Sequence, residues 1–493
     1  MAALAVAAVA LVVYIATLTP GLSWADWAEG EMVPHVLGIM HPTGYPVFTL
    51  LGWAWSWLPI GSVAYRANLL SAVCAALALA VGVLILRRFG VRPVVGTAAM
   101  LVIGFVPTIW LKATRAEVQT LHLLFVALIL HRLLLWSEAR RPRDLVVLAV
   151  LLGLAFGNHM ATLTIAPFVV LAALWVGRDV LRARPSVGLA AAAAFLLALT
   201  PYLYLPIRAA TDAPTWAAPI ATLSGFIKWV TGGQYAGQLN IFSAAAISKA
   251  AATWADPLQL VLHEATPLFL FVAAIGAATL LRRRWGVVLL GATLIVVNVY
   301  IYLEFTIWAE RERYLVTSWL ILGLAAGVGA ERLGGLAERV AARVAGARAR
   351  AVTGASLVLL LALPVTLLGW HWSVVDQSQN RSAQVMVDAV LDVLPPNAVL
   401  VTYWDALEPL LYAQQVDGQR PDVLITFDDT LGLQAAKTRP LYLLPIFDSD
   451  VAGFRSRFKL TPVLTVKVAY GAVVAPYTRQ LLRADPIEPA PSH

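Results

Sequence analysis

Apolar residues along this chain gather in long unbroken runs, not in the alternation of a half-buried strand. Runs near 2–18, 66–86, 94–112, 118–136, 145–162, 164–177, 187–206, 266–281, 286–305, 314–330 and 354–370 carry few or no charges. Crossing ~30 Å of hydrocarbon takes about 17–25 such residues in a helix, which satisfies its own backbone polar groups where water is absent. The pattern predicts a polytopic α-helical membrane protein of about 11 transmembrane helices, with the pair across 145–177 short. The first run has no basic flank and many runs follow it, so it reads as a retained helix and not a cleaved leader.

Three stretches break the pattern: 19–65, 207–265 and 371–493. Within the first, "VFTLLGWAWSWL" (Val47–Leu58) is apolar, too short to span and rich in tryptophan, as expected of a helix lying in the membrane interface. In the third, "NAVLVTYWD" and "PDVLITFDD" are short β-branched runs closed by turn residues, and "SAQVMVDAVLDVL" has helical periodicity. The chain therefore divides into a membrane domain, 1–370, and a small α/β domain, 371–493.

Charge gives the orientation. Arginines cluster at Arg87/Arg88/Arg92, Arg132 to Arg143, Arg178 to Arg184, Arg282 to Arg284 and Arg332 to Arg350. With eleven crossings, every cluster falls on one side, which the positive-inside rule makes cytoplasmic. The N-terminus is then cytoplasmic, and both outer loops and the C-terminal domain are extracytoplasmic, as in a bacterial plasma-membrane protein. The chain is 60% hydrophobic and 13% charged, against about 25% charged in soluble domains. Its formal charge of +8 fits topology and anionic membrane lipids better than nucleic acid. Cys74 is the only cysteine, so no disulfide forms within the chain. No P-loop, H-E-x-x-H or paired C-x-x-C pattern occurs. Asp448-Ser449-Asp450 reads as an acidic turn.

Polar residues beside the first run carry the candidate chemistry. Asp26 and Glu29 stand at i, i+3, which on a helix puts both carboxylates on one face. Either one works as a base or both are a solvated helix cap. Pro42, Gly44 and Pro46 would hold His41 and Tyr45 in a rigid turn. Arg208, Arg311 and Arg313 sit at outer span ends, where an arginine can meet a phosphate or simply snorkel. Glu117, Asn158 and His159 lie near span ends, and polar groups there usually face a cavity or the bundle interior. His122 reads as a packing histidine, whereas Trp216, Gln234 and Tyr235 could line a sugar site or only the interface.

Six ordered elements resemble one family. Asp26-x-x-Glu29 followed by "HPTGYP" and "YRANLLSA", then "RAEVQTLHLL", "GLAFGNHMATL", "YLYLPIRA" with "WAAP" and "TGGQY", "ERERYL", and "GQRPDV", resemble the DUF2723 family of TMEM-type protein O-mannosyltransferases. Gln119 departs from that pattern, standing where the family has tyrosine. The resemblance implies a GT-C-like core and a polyprenyl-phosphate-linked sugar donor, with mannose one candidate sugar. The acceptor would be a protein, glycan or lipid hydroxyl. It also implies that Asp26, with Glu29 second, acts on that hydroxyl. His41, Tyr45, Glu117, Asn158, His159, Arg208, Trp216, Gln234, Tyr235, Arg311, Arg313 and Tyr314 would bind substrate. No metal ligand set is complete in the sequence, and a divalent cation stays open. A lipid or solute transporter and a noncatalytic assembly protein are the rival readings.

Overall fold

The computed structural model describes residues 1–211, 220, 222–233, 235, 243–304, 311–343, 347–469 and 477–487, with backbone alone for 347–360. Helix α1 (Ala2–Ala16) leads into α2 (Ala25–Val36) and α3 (Pro46–Ser56), which form the first connection between apolar runs. The bundle continues with α4 (Val63–Arg88), α5 (Pro93–Gly104), α6 (Pro107–Ala113), α7 (Val118–Ala139), α8 (Pro142–Asn158), α9 (Ala166–Ala183) and α10 (Pro185–Ala198). Short helices α11 (Tyr204–Ala209), α12 (Leu223–Val230) and α13 (Ala244–Ala252) follow, then α14 (Ala255–Glu304), α15 (Val316–Ala341) and α16 (Ala347–Val375). Proline opens α3, α5, α6, α8 and α10, at the first turn, where its missing N–H costs nothing. Ser62 caps α4 by accepting the Tyr65 N–H at 3.1 Å.

Among the described residues each predicted run lies mainly on helix, but the count of crossings does not follow directly. Among the described residues, five helices are long and apolar enough to cross a membrane, or six if a bent pair is one span. That pair is α5 and α6, turned by 78° ahead of Pro107, where one straight run was expected. The expected spans 266–281 and 286–305 share α14, which breaks at Thr266 (φ 74°) and Arg284 (φ −145°). Several other runs lie on short helices: 15 residues in α1, 17 in α8 and 18 in α9. Length and composition among the described residues therefore support several crossings without fixing the number at eleven. Residues 47–58 do form the short helix α3, with Trp57 exposed after it.

The C-terminal domain begins with α17 (Ser382–Val393) and contains β1 (Val399–Thr402), α18 (Trp404–Gln415), β2 (Leu424–Thr426), β3 (Leu441–Leu444), β4 (Phe458–Val468) and β5 (Tyr477–Pro486). Helix α16 runs to Val375, five residues past the expected boundary at 370. The sheet order is β2-β1-β3-β5-β4. Strand β1 pairs in parallel with β2 and β3, and β5 pairs antiparallel with β3 and β4. Both strands expected from sequence are present as β1 and β2. The other three were not foreseen; β4 contains Pro462, tolerated at an irregularity in the ladder. Arg420 of "GQRPDV" holds the end of α17, donating to the carbonyls of Leu391 (2.6 Å), Leu394 (2.8 Å) and Pro395 (2.9 Å). Asp450 accepts the N–H groups of Ile446 (2.9 Å) and Phe447 (2.8 Å), as suits an acidic turn.

Helices α14 and α15 pack at backbone contact. A Cβ on Gly276 would meet the Ala325 carbonyl oxygen at 1.8 Å, and one on Gly329 would meet that of Val272 at 1.9 Å. Small residues permit this approach where lipid supplies no hydrophobic drive for association. Gly276→Val is expected to destabilise the fold by about 1–3 kcal/mol or more through overpacking. Thermal unfolding in detergent, with Gly335→Val as a control in open space, checks this.

Candidate active site

The site is built on a clamp between the segments that follow α1 and α6. Asn68 of α4 donates to the carbonyls of Thr19 and Gly21, both at 3.1 Å, and accepts the Ala116 N–H at 2.6 Å. Ser71, one turn on, accepts the Glu117 N–H at 2.8 Å. Glu31 accepts the Ser23 N–H at 2.8 Å, closing the entry to α2. Ala25, Leu37 and Tyr45 have φ of 50°, 52° and 41°, a left-handed conformation that non-glycine residues adopt at a cost of order 1–3 kcal/mol. They bracket α2 and start α3, so the surrounding packing holds both ends of the acidic helix.

Helix α2 places Asp26 and Glu29 on one side, but gives them different surroundings. Glu29 is buried and committed to His41: one oxygen accepts the His41 backbone N–H at 2.6 Å and the other pairs with the imidazole Nδ1. Burial disfavours charge on His41, yet Glu29, Asp26 and Glu408 together outweigh it and raise its pKa to about 9. Without a bound cation this favours the imidazolium at neutral pH; a metal bound through the ring nitrogen would displace its proton. Asp26 is half-buried, and one of its oxygens accepts the Trp404 indole N–H at 2.6 Å.

Behind this pair runs a line of rings. The Tyr45 hydroxyl lies 3.1 Å from His41 Nε2, and its ring stacks on His159 at 5.6 Å between centroids. Burial, with the negative charge of Asp26 and Glu29, raises the Tyr45 pKa well above its ordinary value, so the phenol stays neutral. His159 accepts the Ala161 N–H on Nδ1 at 2.9 Å, and its Nε2 is 3.0 Å from the Gln119 amide nitrogen. Gln119, the departure from the family pattern, thus reaches the same strip. Arg313 acts electrostatically on Tyr45, His159 and Tyr314, and Tyr235 acts on Tyr45 and Tyr314. The fold thereby gathers Asp26, Glu29, His41, Tyr45, His159, Tyr235, Arg313 and Tyr314 from separate parts of the chain.

The other expected residues lie differently. Glu117 caps α7 and faces the Lys112 ammonium at 3.7 Å. Asn158 donates to the Val118 carbonyl at 3.2 Å, a helix-to-helix tie. Arg208 donates from Nε to the Leu37 carbonyl at 2.6 Å, and Tyr204 donates to Gly38 at 2.6 Å, so α11 braces the first loop. Arg311 turns to Asp256 (3.2 Å) and over the Tyr302 ring (4.6 Å). His122 is buried with its ring 5.9 Å from that of His159. Trp216 and Gln234 lie outside the described residues. Sequence reasoning missed Trp404 and Glu408, which arrive from the C-terminal domain, and the buried cations Lys112 and Arg115, the latter 3.4 Å over the Trp27 ring. A local signal existed only for the cations: a lysine and an arginine flanking an otherwise apolar turn.

The sequence offered no complete ligand set; the fold brings three candidate ligands together. Donor atoms of Asp26, Glu29 and His41 lie within 4.8 Å of one another, close enough to hold a divalent cation. Two carboxylates and an imidazole suit a zinc- or manganese-type ion, and the Tyr45 hydroxyl on the far imidazole nitrogen is the usual kind of outer support.

Fold and site define the class: a multi-pass helical membrane protein with a C-terminal mixed-sheet domain and an acidic, histidine-containing cluster where the two meet. Residues 26–181 match the family described as protein O-mannosyl-transferase TMEM260 N-terminal domain. Protein O-mannosyl-transferase TMEM260 of Mus musculus is 27% identical over 85% of this chain. The chain spans 61% and 55% of the length of the curated relatives it matches. Among solved structures, ArnT from Cupriavidus metallidurans bound to undecaprenyl phosphate superposes with a TM-score of 0.53 over 97% of both chains at 15% identity. The archaeal oligosaccharyltransferase AglB from Archaeoglobus fulgidus, in complex with an inhibitory peptide and a dolichol-phosphate, gives 0.56 over 90% of this chain and 69% of its own, at 11% identity.

Glu31 supplies a test of the clamp. Burial pushes its pKa up to about 8 against the opposing hydrogen bonds of Ser23 and Asn68, whereas an unfolded glutamate titrates near ~4.3. The folded protein keeps a proton that the unfolded chain releases, so this group costs stability progressively as pH rises from about 4 to about 8. Glu31→Gln keeps an acceptor without the charge. The variant is expected to gain on the parent protein across that interval, read as a melting-temperature difference that widens with pH.

Proposed function

We propose that this protein transfers a sugar, with mannose the first candidate, from a polyprenyl-phosphate carrier to an acceptor hydroxyl at the extracytoplasmic face. The observation that carries the reading is the division between two carboxylates one helical turn apart. Glu29 is buried and held by His41; Asp26 is half-buried, with one oxygen fixed by Trp404. The similarity to TMEM260 proteins, and a fold shared with proteins solved with polyprenyl phosphates, support the choice of donor.

In this mechanism Asp26 accepts the proton of the acceptor hydroxyl as its oxygen attacks the anomeric carbon. The carbon–oxygen bond to the carrier phosphate breaks, and the electron pair leaves with the phosphate. Trp404 orients Asp26 by a charge-assisted hydrogen bond. Glu29 and His41 fix the loop and set the local field. Arg313, whose charge acts on Tyr45 and His159, would stabilise the charge developing on the departing phosphate. A divalent cation held by Asp26, Glu29 and His41 would act as a Lewis acid near the same oxygens.

Reconstituted protein, supplied with polyprenyl-phosphate mannose and a hydroxyl acceptor, tests the reading. Asp26→Asn is expected to lower turnover by about 10²–10⁴-fold while melting like the parent, the range removed with a general base. Retained transfer by that variant rejects the assignment of the base; no transfer by the parent protein with any polyprenyl-phosphate sugar rejects the reaction class. Calorimetric titration of chelator-stripped protein with Zn²⁺ or Mn²⁺ is expected to show one site that is lost in His41→Ala.

A further inference from the structure

Two helices measure the thickness of the protein. Helix α4 is tied to the outer loops at Asn68 and ends with Arg88; α7 begins at Glu117, beside Ser71, and carries Glu138 near its end. Twenty residues of α-helix rise about 30 Å, the depth of the hydrocarbon layer. Arg88 and Glu138 meet at 3.7 Å. A second polar plane therefore lies a membrane's width from Asp26.

In that plane Arg88, Arg132, Arg141 and Arg143 line a cavity of about 320 Å³ with Glu138 and Asp144. Asp144 pairs with Arg132 at 3.3 Å, and Glu138 is shared by Arg88 and Arg284, the latter at 2.9 Å. Arg141 and Arg143 are exposed and make no ion pair among the described residues. Four cations against two carboxylates leave the cavity positive. Glu138 also lines a second cavity, a groove of about 1040 Å³ walled by α7, α9 and α14 through side chains such as Leu130, Leu134, Phe168 and Leu290. Trp175 and Trp285 line this groove and stand largely exposed, as aromatic side chains do at headgroup level.

We propose that these two cavities, which share Glu138 in their walls, together bind one anionic glycerophospholipid of the leaflet opposite the Asp26 site. Its phosphodiester sits against Arg141 and Arg143, and an acyl chain lies in the groove between α7, α9 and α14. A guanidinium-lined cavity favours a phosphodiester without a compensating cation, so a zwitterionic choline lipid fits it poorly. The adjoining apolar groove favours a lipid over a free phosphate, which has nothing to place there. Such a lipid would bridge helices that otherwise meet across the groove, and a ligand that binds only the folded state raises its stability.

The test uses the full chain, purified and delipidated in detergent, then titrated with phosphatidylglycerol, phosphatidylcholine or inorganic phosphate. Retained lipid is counted by native mass spectrometry and stability followed by thermal unfolding. Phosphatidylglycerol is expected to be retained and to raise the melting temperature, with little response to the other two. Arg141→Gln/Arg143→Gln, changed at exposed positions, is expected to melt like the parent protein without lipid and to bind phosphatidylglycerol about thirtyfold more weakly. Equal responses to the two lipids, an unchanged affinity in the double variant, or a full response to inorganic phosphate alone would overturn the proposal.

Discussion

The segment from α2 to α3 depends on the grip between Glu29 and His41. A buried carboxylate without partners costs several kcal/mol, so Glu29 must be satisfied where it stands. The turn after α2 supplies both the backbone N–H and the imidazole of a single residue. That double contact sets the distance between α2 and the "HPTGYP" turn and aims Tyr45 at His159. It also fixes the contrast between the two carboxylates: one is occupied inside the protein, and the other remains at the edge.

The C-terminal domain completes this arrangement and is no appendage to it. Trp404 reaches Asp26, Ser382 accepts the Trp24 indole N–H at 2.9 Å, and Tyr412 accepts the Ala64 N–H at 3.1 Å. All three contacts bear on α2 or its neighbours, so α18 and α2 behave as one packed unit. The Gln377 N–H donates to the Thr17 carbonyl at 3.0 Å and ties the start of the domain to the end of α1. The sheet lies beyond this seam, with β1 and β3 as its buried centre.

At the other end of the bundle, polar chemistry takes a different form. Arginines there are shared among few acids: Arg92 holds Glu331 at 2.8 Å and also pairs with Glu338, while Glu138 serves both Arg88 and Arg284. Exposed pairs of this kind contribute little stability singly. Their effect is positional, because a helix that ends in arginine cannot slide into the hydrocarbon without a heavy desolvation cost. The acidic cluster at Asp26 and the arginine-rich rim at Glu138 thus mark opposite ends of the helical bundle.

The sequence by itself determined the helical membrane core, the places of the apolar runs, the first two strands of the tail and the acidic-aromatic character of the first loop. These properties are local: run length, period and turn residues act within a few positions, and lipid leaves the backbone no alternative to helix. Tertiary structure decided the rest. It bent the run at 94–112 by 78° ahead of Pro107, added three strands whose pairing joins distant segments, and turned Arg311 to Asp256 while the charge of Arg313 acts on Tyr45. It also brought Trp404 across 378 positions to Asp26 and made a three-donor cluster of residues that look unrelated in sequence. Which polar groups share a cavity depends on how helices pack, and packing is set by contacts such as Gly276 against Ala325 that no local pattern encodes.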